Sequence, residues 1–299
     1  MAEGTTRLSG ISYRYSARGP WALREVDFAL EPGVVTRIVG ANGSGKSTLM
    51  RILAGACRPT RGRISALPRA GYVPGTFPGL PFTAIGYLGR SGRVRGLSER
   101  DAVDRSDHWL DRFGALEFRD QPLFDLSRGS AQKIGIIQAL LAEPRMLVLD
   151  EAWTGLDSAA QGQLDEVVLD YARSGRKVVF VDHEPTRLAA AVGSAYWCEA
   201  GRLRDVPATP ALAGLVEAAE AADSAADFTA DSAARPTGTG RMIIELEDAP
   251  DPWPGPGTGR RLPNGVLRLE SERSGSDELL REILREHPGV HVRSIKEAL

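Results

Sequence analysis

Hydrophobic and polar positions along the chain change period several times, and the changes mark its elements. From Leu8 to Val39 the alternation suits several strands, with an acidic turn at Glu31-Pro32-Gly33 before the last of them. That last run, Val34 to Val39, is β-branched and apolar and predicts a buried strand. Arg63 to Val73 adds two short strands. From Phe77 to Pro122 the pattern turns polar and helical, as in Ser98 to Phe113. Ala131 to Ala142 predicts a mostly buried helix, followed by the short apolar run Leu147-Val148-Leu149. A helix over Ser158 to Ser174 leads to a strand at Val178 to Val181. A last hairpin is expected near Ala195 to Leu203, turning at Glu199-Ala200-Gly201.

After Pro207 the composition shifts. Ala211 to Ala222 predicts a helix, and Asp223 to Gly240 is a flexible acidic linker poor in large apolar groups. Order returns over Arg241 to Leu299. Strands are expected at Met242 to Leu246, Gly265 to Glu270 and Val290 to Ile295. A helix with one apolar face is expected over Asp277 to His287, stopped by Pro288-Gly289. Asp248 to Pro263, a Pro/Gly stretch around Trp253, is expected to hold no regular structure. The order β, β, α, β suggests a small open-faced α+β unit. The expected division is a domain over 1–206, a helix and linker over 207–240, and a small domain over 241–299.

Two segments carry chemistry. Gly40 to Thr48 reads GANGSGKST and fits G-x-x-x-x-G-K-[ST], with a strand before it and a helical run after it, as the motif requires. Glycines let the backbone N–H groups face a β-phosphate, and the helix N-terminus adds positive potential. Candidate binding residues are Gly40, Asn42, Gly43, Ser44, Gly45, Lys46, Ser47 and Thr48. Lys46 would reach the β- and γ-phosphates, and the Ser47 hydroxyl would ligate Mg²⁺. Far downstream, Leu147-Val148-Leu149 ends in Asp150-Glu151. A carboxylate at the end of a buried parallel strand lies beside such a loop. Asp150 would hold Mg²⁺, and Glu151 would take a proton from an attacking water.

Composition adds bounds. The chain has 299 residues, 42% hydrophobic, enough for one large domain and a small one. A net charge of −2 leaves no electrostatic footprint for nucleic acid. Cys57 and Cys198 lack metal-like spacing and read as buried thiols in a reducing compartment. No apolar stretch approaches the roughly 18–20 residues that span a bilayer.

These segments, with Leu126-Ser127-Arg128-Gly129 between them, resemble the nucleotide-binding domain of ABC ATPases over about Leu8 to Leu203. The resemblance implies an α/β P-loop NTPase fold, with an antiparallel β-subdomain and a helical subdomain. The C-terminal α+β unit is similar to extensions of some bacterial export ATPases. The resemblance implies ATP hydrolysis with Mg²⁺, in a chain peripheral at the cytoplasmic face of the membrane. It further implies separate transmembrane permease subunits as partners, with export as the direction. Two nucleotide-binding domains, identical or related, would sandwich ATP. Ser127, Arg128 and Gly129 would match the signature that closes on the partner's γ-phosphate, with Ser127 also a helix cap. Asp157, in Gly155-Leu156-Asp157, would belong to the loop that meets the opposite subunit. His183 resembles the histidine that senses the γ-phosphate. Tyr15 would stack on adenine, with Tyr13 as the alternative.

The chain departs from the family at several points. Gly75, after Gly71-Tyr72-Val73-Pro74, stands where the family has glutamine, which puts hydrolysis rate and coupling in question; the Thr76 hydroxyl or a water could substitute. Arg128 replaces a signature glycine, Ser130 a glutamine, and Ala152-Trp153 the usual Pro-Thr. Phe77, Leu80 and Phe82 either line a groove for the permease or belong to the subdomain core. Two other functions are a soluble ABC ATPase acting on ribosomes or DNA, and an ATP-sensing module that does not hydrolyse. A single phosphate loop and no basic block weigh against the first, and Glu151 and His183 against the second.

Overall fold

The structure, a computed structural model, describes residues 4–207, Gly214, 241–247, 259–261, 267–272 and 291–297. The chain divides into two compact units, Met1–Ser224 and Ala225–Leu299. In chain order the first unit runs β1 (Thr6–Tyr13), β2 (Leu23–Leu30), β3 (Val35–Val39), α1 (Lys46–Leu53), β4 (Arg61–Ser65) and β5 (Ala70–Val73). It continues with α2 (Ala84–Val94), α3 (Glu99–Arg112), α4 (Arg128–Leu140), β6 (Met146–Asp150), α5 (Ser158–Arg173), β7 (Lys177–Val181), β8 (Val192–Glu199) and β9 (Arg202–Val206).

Every residue of β3, β6 and β7 is buried. Strands of that kind need cover on both faces, which parallel α/β sheets provide. They form the centre of a six-stranded sheet in the order β5-β6-β7-β3-β8-β9. All its neighbours pair in parallel except β8 with β9, the expected hairpin. Side-chain alternation sends the two faces to two cores. Leu147, Leu149, Val178 and Phe180 pack with Ile134 and Ile137 of α4 and Leu164 and Val168 of α5. Met146, Val148, Val179 and Val181 pack with Leu49, Met50 and Ile52 of α1 and with Phe28 and Leu30 of β2. The second core is closed by a three-stranded antiparallel sheet, β2-β1-β4, the expected β-subdomain.

The helical region has α2 and α3 packed on each other and on α4. Its helix starts follow from local chemistry. Thr83, Ser98, Ser127 and Asp157 cap α2, α3, α4 and α5, each side chain accepting a hydrogen bond from a backbone N–H of the first turn. Phe77 proves to be a core residue of this region, edge-on to Tyr87 at 5.5 Å between ring centres, and Leu80 packs half-buried against the same core. Phe82 is 40% exposed and Phe124 61% exposed. Of the two cysteines Cys198 is buried, as expected, whereas Cys57 is only half-buried.

The second unit contains a four-stranded antiparallel sheet formed by β10 (Arg241–Glu247), β11 (Gly259–Arg261), β12 (Leu267–Glu272) and β13 (His291–Glu297), in the order β11-β12-β10-β13. β11 corrects the expectation that 248–263 holds no regular structure: Arg260 pairs with Arg268, and an edge strand this short leaves no periodic trace in sequence. Apart from Gly214, the expected helix over 211–222, the linker over 223–240 and the helix over 277–287 lie outside the described residues.

Candidate active site

The turn between β3 and α1 is shaped by glycines that no other residue could replace. Gly40 has φ 147°, and a Cβ there would lie 2.1 Å from the Cys198 carbonyl oxygen. Gly45, at the N-cap of α1, has φ 113°, and its Cβ would lie 2.6 Å from the Ala22 carbonyl oxygen. Both are left-handed conformations packed against backbone, where a side chain has neither the dihedral nor the space. The turn is therefore pressed between the Ala22 segment and β8. Ser44 is buried beneath it, and its carbonyl oxygen accepts from Gly201 N at 2.9 Å.

An open cleft above this turn is lined by Tyr15, Ala22, Asn42, Gly43, Gly45, Lys46, Ser47, Thr48 and Glu151. Gly40 and Ser44 shape the loop from below without lining the cleft. Lys46 is nearly buried, and its Nζ donates to the carbonyl oxygens of Gly40 at 2.5 Å and Ala41 at 2.9 Å, arching back over the loop. Tyr15 is 61% exposed at the cleft edge, its hydroxyl 2.8 Å from Thr48 Oγ1, and Arg51 donates to it at 3.2 Å. Tyr13 is a half-buried strand residue paired with Leu23, its ring edge-on to that of Tyr15 at 5.1 Å. Tyr15 is thus the aromatic at the cleft.

The end of β6 brings the acids to the same place. Ser47 Oγ donates to Asp150 Oδ1 at 3.2 Å, and the Tyr72 hydroxyl donates to Asp150 Oδ2 at 3.4 Å. Burial raises the Asp150 carboxyl, partly offset by the Ser47 hydrogen bond. Burial, then the Asp150 charge, push the Tyr72 phenol up to about 12, so it stays a neutral donor. Among the described residues no group of three or more His, Cys, Asp or Glu is placed to hold a metal ion. Mg²⁺ asks for less here, because it takes one or two protein oxygens together with substrate phosphates and water. The Ser47 hydroxyl and the buried Asp150 carboxylate, side by side beneath the cleft, fit that donor set.

Glu151 leaves the strand with φ 55°, unusual for a residue with a side chain, while its N–H donates to Val181 O at 2.9 Å. That turn aims its carboxylate into the cleft. Oε1 lies 3.1 Å from His183 Nε2, and this contact chiefly holds the Glu151 carboxyl below its usual range, against the opposing effect of burial. His183 does not line the cleft itself and reaches it through Glu151. A Cβ at Gly75 would lie 3.5 Å from Glu151 Oε2 and 3.2 Å from the Asp150 carbonyl oxygen. The missing side chain would therefore stand directly against the acid pair. Thr76 is exposed.

Ser127, Gly129 and Asp157 do not line this cleft, nor does Arg128, although its charge is among the lesser causes that lower the Glu151 carboxyl. They gather elsewhere, where the start of α4 meets the loop after β6. A Cβ on Gly129 would lie 2.3 Å from the Gly155 carbonyl oxygen, and Lys133 Nζ is 2.7 Å from Asp157 Oδ2.

Two residues that the sequence reading passed over hold these segments. Arg37, in the strand read as apolar, is fully buried and lies over the Phe180 ring at 5.4 Å. Its guanidinium donates to the carbonyl oxygens of Asp182, Glu184, Pro185 and Arg187 at 2.7–3.3 Å, fixing the backbone around His183. Gln132, buried in α4, donates to Pro74 O at 3.0 Å and Ala152 O at 3.4 Å, joining the Gly75 segment to the acid-pair turn. A lone Arg or Gln inside an apolar run was the one available signal.

A strand–glycine loop–helix cradle beside a serine–aspartate pair and a cleft-facing glutamate defines a P-loop ATPase. A family profile described as ABC transporter matches residues 23–154. The zinc import ATP-binding protein ZnuC of Halorhodospira halophila is 34% identical over 211 residues, covering 68% of this chain and 78% of that protein. A probable metal transport system ATP-binding protein of Treponema pallidum is 33% identical over 191 residues, covering 62% of this chain and 79% of that protein. A solved structure of the ATP-binding subunit of an ABC transporter superposes with a TM-score of 0.62 at 24% identity, covering 75% of this chain and 99% of that one. The chain belongs to the ABC transporter family, as an ATP-binding, ATP-hydrolysing subunit. The names of these relatives specify import or metal transport, so the expected export direction finds no support in them. No helix among the described residues is long and apolar enough to cross a membrane.

Proposed function

We propose that this subunit drives uptake through separate permease subunits by closing on a second nucleotide-binding domain around ATP. The observation that carries this reading is the division of the site into two groups. Lys46, Ser47, Asp150 and Glu151 converge on one cleft, whereas Ser127, Gly129 and Asp157 gather outside it. A group that cannot serve its own cleft is suited to serve a partner's. In this reading Tyr15 stacks on the base, and the loop amides and Lys46 hold the phosphates. Ser47 and Asp150 hold Mg²⁺, which neutralises phosphate charge when bound. Glu151, kept ionised by His183, accepts the proton of the attacking water. The exposed aromatic pair Phe82 and Phe124, joined where Leu123 N donates to Phe82 O at 2.9 Å, supplies the contact to the permease. Uptake is favoured over export by the names of the relatives.

The test is recovery of the tagged chain from solubilised membranes, with Glu151→Gln to hold ATP. A multi-span protein is expected to co-purify, and more of it with ATP. Recovery of ribosomal or DNA-repair proteins alone would sink the transporter reading. Direction is read separately, from accumulation of radiolabelled metal ion in vesicles of known orientation.

A further inference from the structure

The segment that follows His183 and the loop that follows Glu151 are joined by a single side chain. Arg187 is mostly buried, its side chain 14% exposed. One guanidinium nitrogen donates to Asp165 Oδ2 at 3.2 Å, and the other to Gln161 Oε1 at 3.1 Å. Both acceptors lie on α5, and both pass the contact on to the loop. Asp165 Oδ1 accepts from Trp153 Nε1 at 2.8 Å, while Gln161 Nε2 donates to the Leu156 carbonyl oxygen at 3.2 Å. The guanidinium also lies over the Trp153 ring at 5.5 Å and is 3.9 Å from Asp182 Oδ1. The planar fork of arginine, presenting donors in fixed directions, is what lets one residue meet both acceptors.

We propose that Arg187 is a positioning residue that locks the His183 segment to the 153–157 loop, so that the contact made to Glu151 and the surface offered to the second subunit are set together. Two independent paths carry it: Arg187–Asp165–Trp153 and Arg187–Gln161–Leu156. The lock rests on the reading above, in which His183 serves hydrolysis and the loop serves the dimer contact. Movement of one end is transmitted because both paths run through Gln161 and Asp165, half-buried on a helix whose neighbouring Ala160, Leu164 and Val168 are packed in the core. Trp153 stands where the family has threonine, a side chain too short to reach Asp165 in this way.

A cycle of four proteins tests it: wild type, Arg187→Ala, His183→Ala and the double variant, each assayed for kcat, KM for ATP and thermal midpoint. Arg187→Ala is expected to lower kcat about tenfold with KM within about twofold, because the cleft is untouched. In the His183→Ala background the same change is expected to lower kcat less than about twofold, since its route is already cut. Arg187→Lys is expected to recover only part of the rate, because an ammonium cannot fork to both acceptors. Gln161→Ala, a milder change less exposed to misfolding, is expected to lower kcat about threefold through the Leu156 path alone. Full additivity of Arg187→Ala and His183→Ala in log kcat would overturn the proposal, as would an unchanged kcat in Gln161→Ala. An unchanged kcat in His183→Ala would instead overturn the reading on which the proposal rests.

Discussion

The phosphate loop and the hydrolysis segment share one cleft but are held by different kinds of contact. Gly40 to Thr48 is contiguous, shaped by its own glycines and by Lys46 folding back on Gly40 and Ala41. The side proposed to govern hydrolysis brings together Gly75, Glu151 and His183, and is held by Arg37, Gln132 and Arg187 through hydrogen-bond partners that lie at least 20 residues away in sequence. The first is a local device whose geometry follows from a short string of residues. The second is a tertiary one, and every departure of this chain from the family pattern at the cleft lies in it or beside it. In this chain the nucleotide loop therefore rests on local geometry, and the acid-pair side on tertiary contacts.

The sharpest break of this comparison is Lys46→Ala. It removes the one cation of the loop, and a loss of at least about a thousandfold in kcat/KM is expected, with ATP affinity lost in calorimetric titration. Retained affinity would mean that the loop does not hold the phosphates. Glu151→Gln is the matching change on the other side. A fall in kcat of about 10²–10³-fold is expected while ATP still binds, and equal turnover in both proteins would end the assignment of Glu151 as the base.

A smaller effect separates structure from contact at Ser127. Ser127→Ala removes the cap on α4, and a loss of about 1 kcal/mol is expected in denaturant unfolding. Ser127→Asp keeps a capping oxygen but, in the proposed dimer, would put negative charge toward the partner's phosphate. It is expected to hold stability and abolish ATP-induced dimerisation in size-exclusion chromatography. A dimer that forms as before would remove Ser127 from the interface.

The smallest effect concerns pH. The folded-state Glu151 carboxyl titrates below its usual 4.5, so the contact with His183 stabilises the fold fully above that pH. The contribution is lost as pH falls through the lower, folded-state value. Both side chains are partly solvated, Glu151 28% and His183 43% exposed, which limits the contribution to about 0.5 kcal/mol. The gap in thermal midpoint between wild type and His183→Ala should therefore be present at pH 6 and close on acidification below 4.5. A gap that widens on acidification would contradict the assigned direction.

Much of the fold could be read from periodicity, for a physical reason. Met146 to Leu149 in β6 and Val178 to Val181 in β7 are uninterrupted apolar runs because both faces are covered, and the caps Ser127 and Asp157 act within a single turn of the helix they begin. Phe77 and Phe82 could not be told apart in this way. Both are aromatic residues in the same polar stretch, yet Phe77 fills the space that Gly135 leaves on α4, while Phe82 stays at the surface under Arg90. Arg37 reads as part of an apolar strand in sequence, because its partners lie 145–150 residues downstream. β11 was missed because three residues of an edge strand carry no pattern.

By itself the sequence determined the cradle, the acid pair and the alternation of strands and helices, since these depend on dihedral preference, capping and side-chain period within a few residues. Only the tertiary structure decided which aromatic faces the cleft, how His183 meets Glu151, and how Arg187 joins two loops. Those depend on distances between chain segments far apart in sequence, and a distance is fixed only when the whole core has packed.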